Sequence, residues 1–291
     1  MQIIIKIYLF YIQKVSICSI IYFLIILAIE TLRLQGNKKL KQHMKILVCI
    51  SSVPDTTSKI NFTADKSAFD KNGIQWVINP LDEFALTKAI KLQESQGATV
   101  TVLNVGDATT EPVIRKALAI GANDAVRVNL DPKDSFSTAK EIAAVAQNGG
   151  YDLILCGKES IDYNGGSVPG MLAQLLNQPF VNASVGLDVN GNDATAVREI
   201  EGGKETISVK LPAVIAGQKG LVDEKDLIIP NMRGIMSART KPLQVVEPTS
   251  SEVKVQGVSF DSVPPRAAVK MVSPDNLDEL VRLLHEEAKV I

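Results

Sequence analysis

The stretch Tyr151-Asp-Leu-Ile-Leu-Cys-Gly-Lys-Glu-Ser-Ile-Asp-Tyr-Asn-Gly-Gly-Ser-Val-Pro-Gly-Met-Leu-Ala-Gln-Leu-Leu176 decides the fold class of this chain. It begins as an apolar strand, Leu153 to Cys156, and ends as a helix with its apolar side chains expected on one face: Met171, Leu172, Leu175 and Leu176. The loop between them is rich in glycine: Gly157, Gly165, Gly166 and Gly170. A strand that opens through glycines into a helix start presents unpaired N–H groups and a positive helix end, which is how α/β proteins hold phosphate. We therefore predict a nucleotide site at this loop; the alternative is a plain strand–helix connection whose glycines only allow a tight turn.

Strands and helices alternate at short spacing before this stretch. Further apolar strands are predicted at 45–51, 99–105 and 125–129, and helices at 81–96, 110–120 and 137–147. Short, continuously apolar strands separated by helices are typical of a parallel sheet covered on both faces. Right-handed crossovers then make the sheet doubly wound. The predicted fold class is α/β, with a doubly wound, mainly parallel, Rossmann-like sheet that binds an adenine nucleotide.

From Val181 the pattern changes to strands joined by turns. Strands are predicted at 183–189, 195–201 and 204–210, and Gly202-Gly203 suits a tight hairpin between the last two. We therefore expect an antiparallel extension of the sheet. A buried strand at 211–216, a short helix at 230–239 and a C-terminal helix with apolar residues between 277 and 284 complete the pattern.

Composition divides the chain into three parts. Residues 1–43 form an apolar and basic extension, 44–246 the nucleotide-binding α/β domain, and 247–291 a linker with a C-terminal helix expected to pack on a partner. The apolar run at 15–29 is shorter than the roughly 20 residues of a membrane span, and no small-residue cleavage site follows it. Three interpretations stay open: a start codon placed too early, a signal-anchor helix or an interfacial helix. Membrane contact is expected only if residues 1–43 are real.

Charge and composition exclude several classes of function. A formal net charge of −1 offers no basic face to nucleic acid. Cys18, Cys49 and Cys156 show no disulfide or metal spacing, and the last two fall in core strands, where free cysteine packs as a small apolar residue. His43 and His285 lie far apart in sequence, so no metal site is expected. A reducing, cytoplasmic compartment is the simplest interpretation.

Several loops are expected to meet at one edge of the sheet. Besides the glycine loop, Val53-Pro-Asp-Thr-Thr57, Asn79-Pro-Leu-Asp82 and Asn104-Val-Gly106 each follow a predicted strand or extended segment. The carboxyl ends of parallel strands share one edge, which is the usual ligand face, although Pro-Asp and Asn-Pro are also ordinary turn pairs. No Ser/His/Asp set, Cys/His pair or twin carboxylate is visible. A nucleotide binder without a catalytic set points to a carrier, a sensor or a scaffold.

A series of motifs follows Met44 in fixed order. They are Lys45-Ile-Leu-Val-Cys49, Val53-Pro-Asp-Thr-Thr57, Asn79-Pro80, Ile114-Arg-Lys-Ala-Leu-Ala-Ile-Gly-Ala122, Cys156-Gly-Lys-Glu-Ser-Ile-Asp162, Arg198-Glu-Ile-Glu-Gly-Gly203, Leu211-Pro-Ala-Val214 and Pro230-Asn231. Together they resemble the beta subunit of electron transfer flavoproteins. The resemblance implies a heterodimer whose alpha subunit carries FAD, while the beta subunit closes over it and buries AMP, or a second FAD in electron-bifurcating members. It also implies an electron carrier rather than an enzyme with bond chemistry of its own.

The resemblance further assigns site residues. The positions that match the family's nucleotide contacts are Cys49, Asn79, Pro80, Leu81, Asp82, Val105, Asp162, Asn164, Gly165, Gly166, Ser167, Val168, Gly170 and Met171. Leu81 stands where many members place an aromatic residue near the flavin. The loop 217–225 matches the family's recognition loop, which docks acyl-CoA-type and other flavin dehydrogenases. Leu221 takes the place of its anchoring leucine, and we expect it to be exposed for a partner's pocket; the alternative is a loop leucine folded inward.

Three functions stay open at this point. The first is a beta subunit of a heterodimeric electron transfer flavoprotein that binds AMP and helps to hold the FAD of the alpha subunit. The second is an electron-bifurcating beta subunit with its own FAD, because Val53-Pro-Asp-Thr56 resembles bifurcating members, although the phosphate loop does not follow them closely. Gly166-Ser-Val168 departs from the residues that many members carry there, which leaves AMP and FAD both open. The third, an adenine-nucleotide sensor without a redox role, fits the fold alone; the loop 217–225 and the C-terminal helix argue against it.

Overall fold

A nine-stranded sheet organises the larger part of the protein, seen in a computed structural model that describes residues 43–250, 252–266 and 268–291. The interpretations given above for the N-terminal extension lie, apart from residue 43, outside the described residues. The described chain forms two compact units, one of residues 43–56 with 75–256 and the other of 57–74 with 257–291. The domain limits proposed from composition stay a prediction.

The elements alternate as the sequence predicts. The strands are β1 (Lys45–Cys49), β2 (Ser52–Pro54), β3 (Trp76–Ile78), β4 (Thr99–Val105), β5 (Asp124–Val128), β6 (Leu153–Gly157), β7 (Phe180–Asn190), β8 (Asp193–Ile200), β9 (Gly203–Lys210), β10 (Ala213–Gly217) and β11 (Leu243–Val246). The helices are α1 (Pro80–Gln96), α2 (Glu111–Ile120), α3 (Ser135–Gly149), α4 (Val168–Leu176), α5 (Met232–Ala238) and α6 (Leu277–Arg282). Short 3₁₀ turns occur at Ala108–Thr110 and Glu224–Asp226.

The strand order places a crevice beside the central strand. The order is β11-β5-β4-β1-β6-β10-β7-β8-β9, with β11 through β7 parallel and β8 and β9 added by antiparallel pairing. The chain builds outward from β1 through β4 to β5 and then returns to the other side of β1 at β6. Such a reversal is the switch point at which open α/β sheets bind ligands, outside the carboxyl ends of the strands. The predicted fold class is confirmed, as is the antiparallel extension.

Strand β1 shows why the sheet is covered on both faces. Ile46 and Val48 belong to one apolar core, and Leu47 and Cys49 belong to the other. Helices α1 and α2 contribute to the first core, and α3 and α4 contribute to the second. Because both faces of the strand are buried, the sequence shows an apolar run rather than an alternation.

Local signals set the helix ends that frame the crevice. Helix α1 has Pro80 in its first turn together with two acidic residues, and it ends at Gly97 in the left-handed conformation (φ 73°). Helix α3 begins with a capping box, in which the Asp134 side chain accepts from the Ser137 N–H at 2.8 Å.

Three details differ from the sequence prediction. In α4 only one side of the expected apolar face is buried: Leu172 is buried, whereas Met171 and Leu175 are each 38% exposed. Strand β11, whose two middle residues are exposed, was not predicted. The C-terminal helix is regular only over Leu277–Arg282 and continues as a π-helix over Leu283–Glu287.

The smaller unit joins a hairpin to the C-terminal arm. Phe62 pairs with Phe69 in an antiparallel bridge, and the Phe62 ring stacks on Phe260 with centroids 5.6 Å apart. Lys66 forms an ion pair with Asp261 at 2.5 Å. Across the described ranges, no helix combines the length and the apolarity needed to cross a membrane.

Candidate functional site

The carboxyl ends of β1, β4 and β6 form the floor of the crevice. Cys49 and Val105 end β1 and β4, and Cys156 lies beside Cys49 on β6; all three side chains are buried. The hydrogen bond with the Cys156 thiol, followed by burial, raises the pKa of Cys49 well above its ordinary value. Both cysteines are free, and the raised pKa keeps the Cys49 thiol protonated at neutral pH. The floor is formed by small, buried, mainly apolar side chains, which suits an aromatic base better than a phosphate.

Asn79 holds the glycine loop from the start of α1. Its side chain does not cap the helix but donates through Nδ2 to the Glu159 carbonyl at 2.9 Å. Its Oδ1 accepts from the Ile161 N–H at 3.3 Å. Asn79 is almost fully buried. The Asn79 side chain thus fixes the backbone of residues 159–161, which lie some 80 positions away in sequence.

Asp82 ties together the chain segments that leave β1 and β6. Its Oδ2 accepts from the Ser51 N–H and its Oδ1 from the Gly157 N–H, both at 2.7 Å. Burial raises the pKa of Asp82 to about 7, against the lowering effect of these two hydrogen bonds. A Cβ at Gly157 would lie 2.3 Å from Asp82 Oδ1, so only glycine fits this junction.

The loop that follows is closed on itself. Ser160 and Gly165 exchange backbone hydrogen bonds of 3.1 and 3.3 Å. Asp162 accepts from the Tyr163 N–H at 2.9 Å and from the Ser160 hydroxyl. Asn164 takes a positive φ of 49°, which an asparagine tolerates well. The Asp162 carboxylate is therefore committed to the shape of the loop.

The loop ends at the amino terminus of α4. Ser167 occupies the N-cap position but makes no side-chain cap hydrogen bond, and Pro169 lies in the first turn. The first N–H groups of a helix have no partner within the helix. Gly166, Ser167, Val168 and Gly170 thus carry backbone N–H groups at a positive helix end, whereas Pro169 has no N–H. Phosphate binding at this end of the helix stays a prediction.

The site residues named from the sequence lie at one edge of the sheet, at the carboxyl ends of its parallel strands. They differ in what their side chains contact. The side chains of Asn79 and Asp82 hydrogen-bond to neighbouring backbone and do not point outward. Leu81 is half-buried against the first core. Its Cβ lies 2.9 Å from the position that a Cβ on Gly157 would take. Cys49 and Val105 lie in the floor, while Asp162, Asn164, Gly165, Gly166, Ser167, Val168, Gly170 and Met171 follow β6. Direct contact of any of them with a ligand stays a prediction.

Two buried polar residues at this edge were not among the predicted ligand contacts, although Asn104 belongs to a loop that the sequence analysis placed here. Asn104 and Arg127 are cross-strand partners at the ends of β4 and β5. Asn104 donates to the Ile50 carbonyl at 2.9 Å, and Arg127 donates to the Gly106 carbonyl at 3.0 Å. Both fix the loops after β1 and β4. A polar residue near the end of an otherwise apolar strand was the available signal, because a buried polar group needs a partner.

The expectation that Leu221 is exposed is wrong. Its side chain is 4% exposed and belongs to the first core. Gly217 provides the room: a Cβ there would lie 2.5 Å from Leu221 Cδ2. The absence of a side chain at Gly217 lets the leucine fold inward, which is the alternative considered above. Among the described residues, no group of histidine, cysteine, aspartate and glutamate side chains is arranged to hold a metal ion.

Comparison with known proteins adds to this geometry. The family model described as "Electron transfer flavoprotein domain" matches residues 67–251. The chain is 35% identical to "Electron transfer flavoprotein subunit beta" of Bacillus subtilis, over 85% of this chain and 100% of that protein. It is 34% identical to the mitochondrial subunit beta of Oryza sativa subsp. japonica, over 85% and 100% of the two chains. The human subunit beta is 29% identical over 85% of this chain and 99% of its own length. The chain therefore belongs to the electron transfer flavoprotein family, among its beta subunits.

Proposed function

We propose that this chain is the beta subunit of a heterodimeric electron carrier, and that it holds AMP at the carboxyl ends of β1, β4 and β6. One observation carries the proposal. Asn79 and Asp82 brace residues 157–161 from the side of α1, while Ser167 leaves the first turn of α4 without a side-chain cap. The site is thus built around a loop and a helix end that offer backbone donors to an anion.

The residues present fit an adenine nucleotide. The buried floor formed by Cys49, Val105 and Cys156 suits the base. The phosphate would lie at Gly166 to Gly170, where the helix end supplies the positive potential. Lys158 is half-exposed and is the basic side chain within this loop. One helix end offers its backbone donors to one phosphate group, so the single phosphate of AMP is a better match than the two linked phosphates of a second FAD.

The chemistry of electron transfer would come from the FAD held by the alpha subunit, which accepts and donates electrons when bound. In this proposal the residues of the beta subunit position that cofactor and exclude water, and Leu81 at the start of α1 is the residue expected to face it. In this proposal the chain acts as a carrier without bond chemistry of its own.

Pairing with the alpha subunit is proposed to occupy the C-terminal arm. Residues 257–291 expose many large apolar side chains, among them Val269 (80%), Met271 (85%) and Leu277 (63%). Exposed apolar surface of this density marks an interaction site. Flavin dehydrogenases of the acyl-CoA type are the proposed electron donors. A cytoplasmic location stays a prediction.

The experiment that tests the proposal is a nucleotide count. The chain would be co-expressed with its alpha subunit, purified, denatured in acid and analysed by chromatography. One FAD and one AMP per heterodimer is the expected result. Two FAD and no AMP would instead identify a bifurcating subunit, and the lack of both a stable partner and a flavin would leave only the nucleotide-sensor interpretation.

A further inference from the structure

The two cysteines of the crevice floor are neighbours on adjacent strands. Val48 of β1 pairs with Leu155 of β6, so the next residues along the two parallel strands, Cys49 and Cys156, lie side by side. Both side chains belong to the second core and therefore point to the same face of the sheet. Neighbouring strands are about 4.8 Å apart, and disulfides join residues whose Cα atoms are about 4.4 to 6.8 Å apart. The spacing of the sheet thus allows a bond between the two sulfur atoms.

The pair lies where the core opens toward the crevice. Leu47 and Ile154, which precede the cysteines on the same face, are 0% and 1% exposed, whereas Cys49 and Cys156 are 7% and 4% exposed. Accessible surface therefore reappears at the carboxyl edge, where a molecule the size of water can touch these side chains. Packing as a small apolar residue explains a single cysteine in a core. Two free cysteines side by side at an open edge also form a dithiol.

The two thiols of this pair are not equivalent. The Cys49 thiol hydrogen-bonds with Cys156, and this bond, followed by burial, raises the pKa of Cys49. The proton thus stays on Cys49, and a thiolate that forms within the pair is carried by Cys156. The thiolate is the form of cysteine that attacks an oxidant. Cys156 is therefore the attacking residue, and Cys49 is the residue that closes the bond.

We propose that Cys49 and Cys156 join in a reversible disulfide when hydrogen peroxide enters the crevice, and that bound AMP prevents this by covering them. The protection by AMP rests on the nucleotide site proposed above, in which the base lies on this floor. Reduced flavins release hydrogen peroxide when they react with dioxygen. A subunit that helps to hold a flavin is therefore exposed to this oxidant.

The reaction takes two steps. The Cys156 thiolate attacks one peroxide oxygen, so that an S–O bond forms, the O–O bond breaks, and the departing hydroxide takes up the proton that Cys156 had lost. The Cys49 sulfur then attacks the sulfur of this sulfenic acid, so that an S–S bond forms, the S–O bond breaks, and water leaves with the Cys49 proton. Two thiols thereby pass two electrons to one peroxide and give one disulfide and two water molecules. A thiol reductant restores both cysteines.

The test uses the full chain, reduced and freed of nucleotide. Titration calorimetry first measures the Kd for AMP. The chain is then treated with hydrogen peroxide with and without AMP, its remaining thiols are blocked with iodoacetamide, and its peptides are analysed by mass spectrometry. We expect a pair of peptides joined through Cys49 and Cys156 that dithiothreitol separates. AMP at about ten times its Kd leaves about one eleventh of the chain empty, so the rate of joining should fall about elevenfold.

Two single variants test the roles of the cysteines. In Cys49→Ala the sulfenic acid of Cys156 has no thiol beside it, so it should accumulate and be trapped by dimedone. In Cys156→Ala the remaining Cys49 should react with dimedone far less, because its proton is retained. Equal labelling of the two variants would contradict the assigned roles. The peptide analysis of the wild type needs neither variant, so the proposal stays testable if a variant fails to fold.

The outcomes separate this proposal from the nucleotide site. A reduced chain that binds no AMP would refute the nucleotide site, and the protection with it. A chain that binds AMP but yields no joined peptides without AMP would refute the disulfide alone. Joined peptides that form equally fast with and without bound AMP would show that the nucleotide does not cover the cysteines, and would also overturn the proposal.

Discussion

At the scale of single residues, Asp82 is the clearest case of a side chain that shapes the candidate site by fixing its backbone and not by reaching into it. Its carboxylate joins Ser51, which follows β1, to Gly157, the last residue of β6. The sequence places Asp82 and Asn79 at the correct edge but predicts ligand contacts for them. Their actual partners lie between 31 and 82 positions away in sequence. Contacts of that range depend on strand order, which one sequence pattern does not contain.

Replacing Asp82 by asparagine should weaken both the fold and nucleotide binding. The amide would turn an N–H₂ group toward one of the two backbone N–H donors and leave that donor without an acceptor, at a cost of about 1–3 kcal/mol. Urea unfolding and AMP titration of Asp82→Asn would measure both effects. Glu83→Gln is the matched control, because Glu83 makes a partly exposed ion pair with Lys116 at 2.7 Å and should cost less than about 1 kcal/mol. Equal losses in the two variants would contradict the role given to Asp82.

The raised pKa of Asp82 also predicts a pH dependence. With a folded pKa of about 7 and an ordinary value near 4, the folded state binds more protons than the unfolded state between these two limits. The contribution of Asp82 to the free energy of unfolding should therefore fall as the pH rises from about 4 to 7, and then level off. Urea unfolding at several pH values should show this slope in the wild type and a smaller slope in Asp82→Asn. Parallel curves would show that the pKa of Asp82 is not raised.

At the scale of elements, the apolar runs predict most of the parallel strands because both faces of those strands are buried. The same rule explains the omission of β11, since the middle of Leu-Gln-Val-Val246 is exposed and its residues resemble a loop. The apolar face assigned to α4 is wrong in part for a related reason. Periodicity shows that Met171 and Leu175 could share a face with their neighbours, but it does not show how much of that face the sheet covers.

The junction between β6 and α1 is tested by a matched pair of glycine substitutions. Gly157→Ala places a methyl group 2.3 Å from Asp82 Oδ1 and 3.0 Å from the Asp82 backbone nitrogen, so the helix and the strand must move apart. A cost of about 1–3 kcal/mol is expected from such overpacking. Gly203→Ala, in the hairpin between β8 and β9, meets nothing within 4 Å and should be tolerated. Thermal unfolding and the AMP content of the purified heterodimers would compare the two, and a tolerated Gly157→Ala would show that the junction is not tight.

At the scale of the whole molecule, the two compact units suggest a division of labour between holding a nucleotide and recruiting a partner. The site residues all belong to the unit of residues 43–56 and 75–256, and the C-terminal arm belongs to the other. The motif order predicts the family to which the chain belongs, because many weak signals in fixed sequence add up. The burial of Leu221 escaped the same reasoning, since it depends on the space above Gly217.

Ending the chain at Gln256 should therefore separate the two tasks. The shortened chain keeps the sheet and the loops that brace the site, so we expect it to bind AMP when expressed alone. It lacks the exposed apolar arm, so we expect it not to co-purify with the alpha subunit. The full chain expressed in parallel is the control, and a shortened chain that still retained its partner would show that pairing does not need the arm.

The edge strand β9 affects how readily the subunit aggregates before it is assembled. Along Gly203–Lys210 most side chains are exposed, and Lys204, Glu205 and Lys210 place charges on the open edge of the sheet. Charged side chains discourage an open edge from recruiting strands of other molecules. In a newly made subunit that has not yet bound its partner, these charges disfavour amyloid-like strand pairing along this edge. If the subunit is overproduced without its partner, we expect it to aggregate through exposed apolar side chains, and we expect mild detergent to reverse this aggregation.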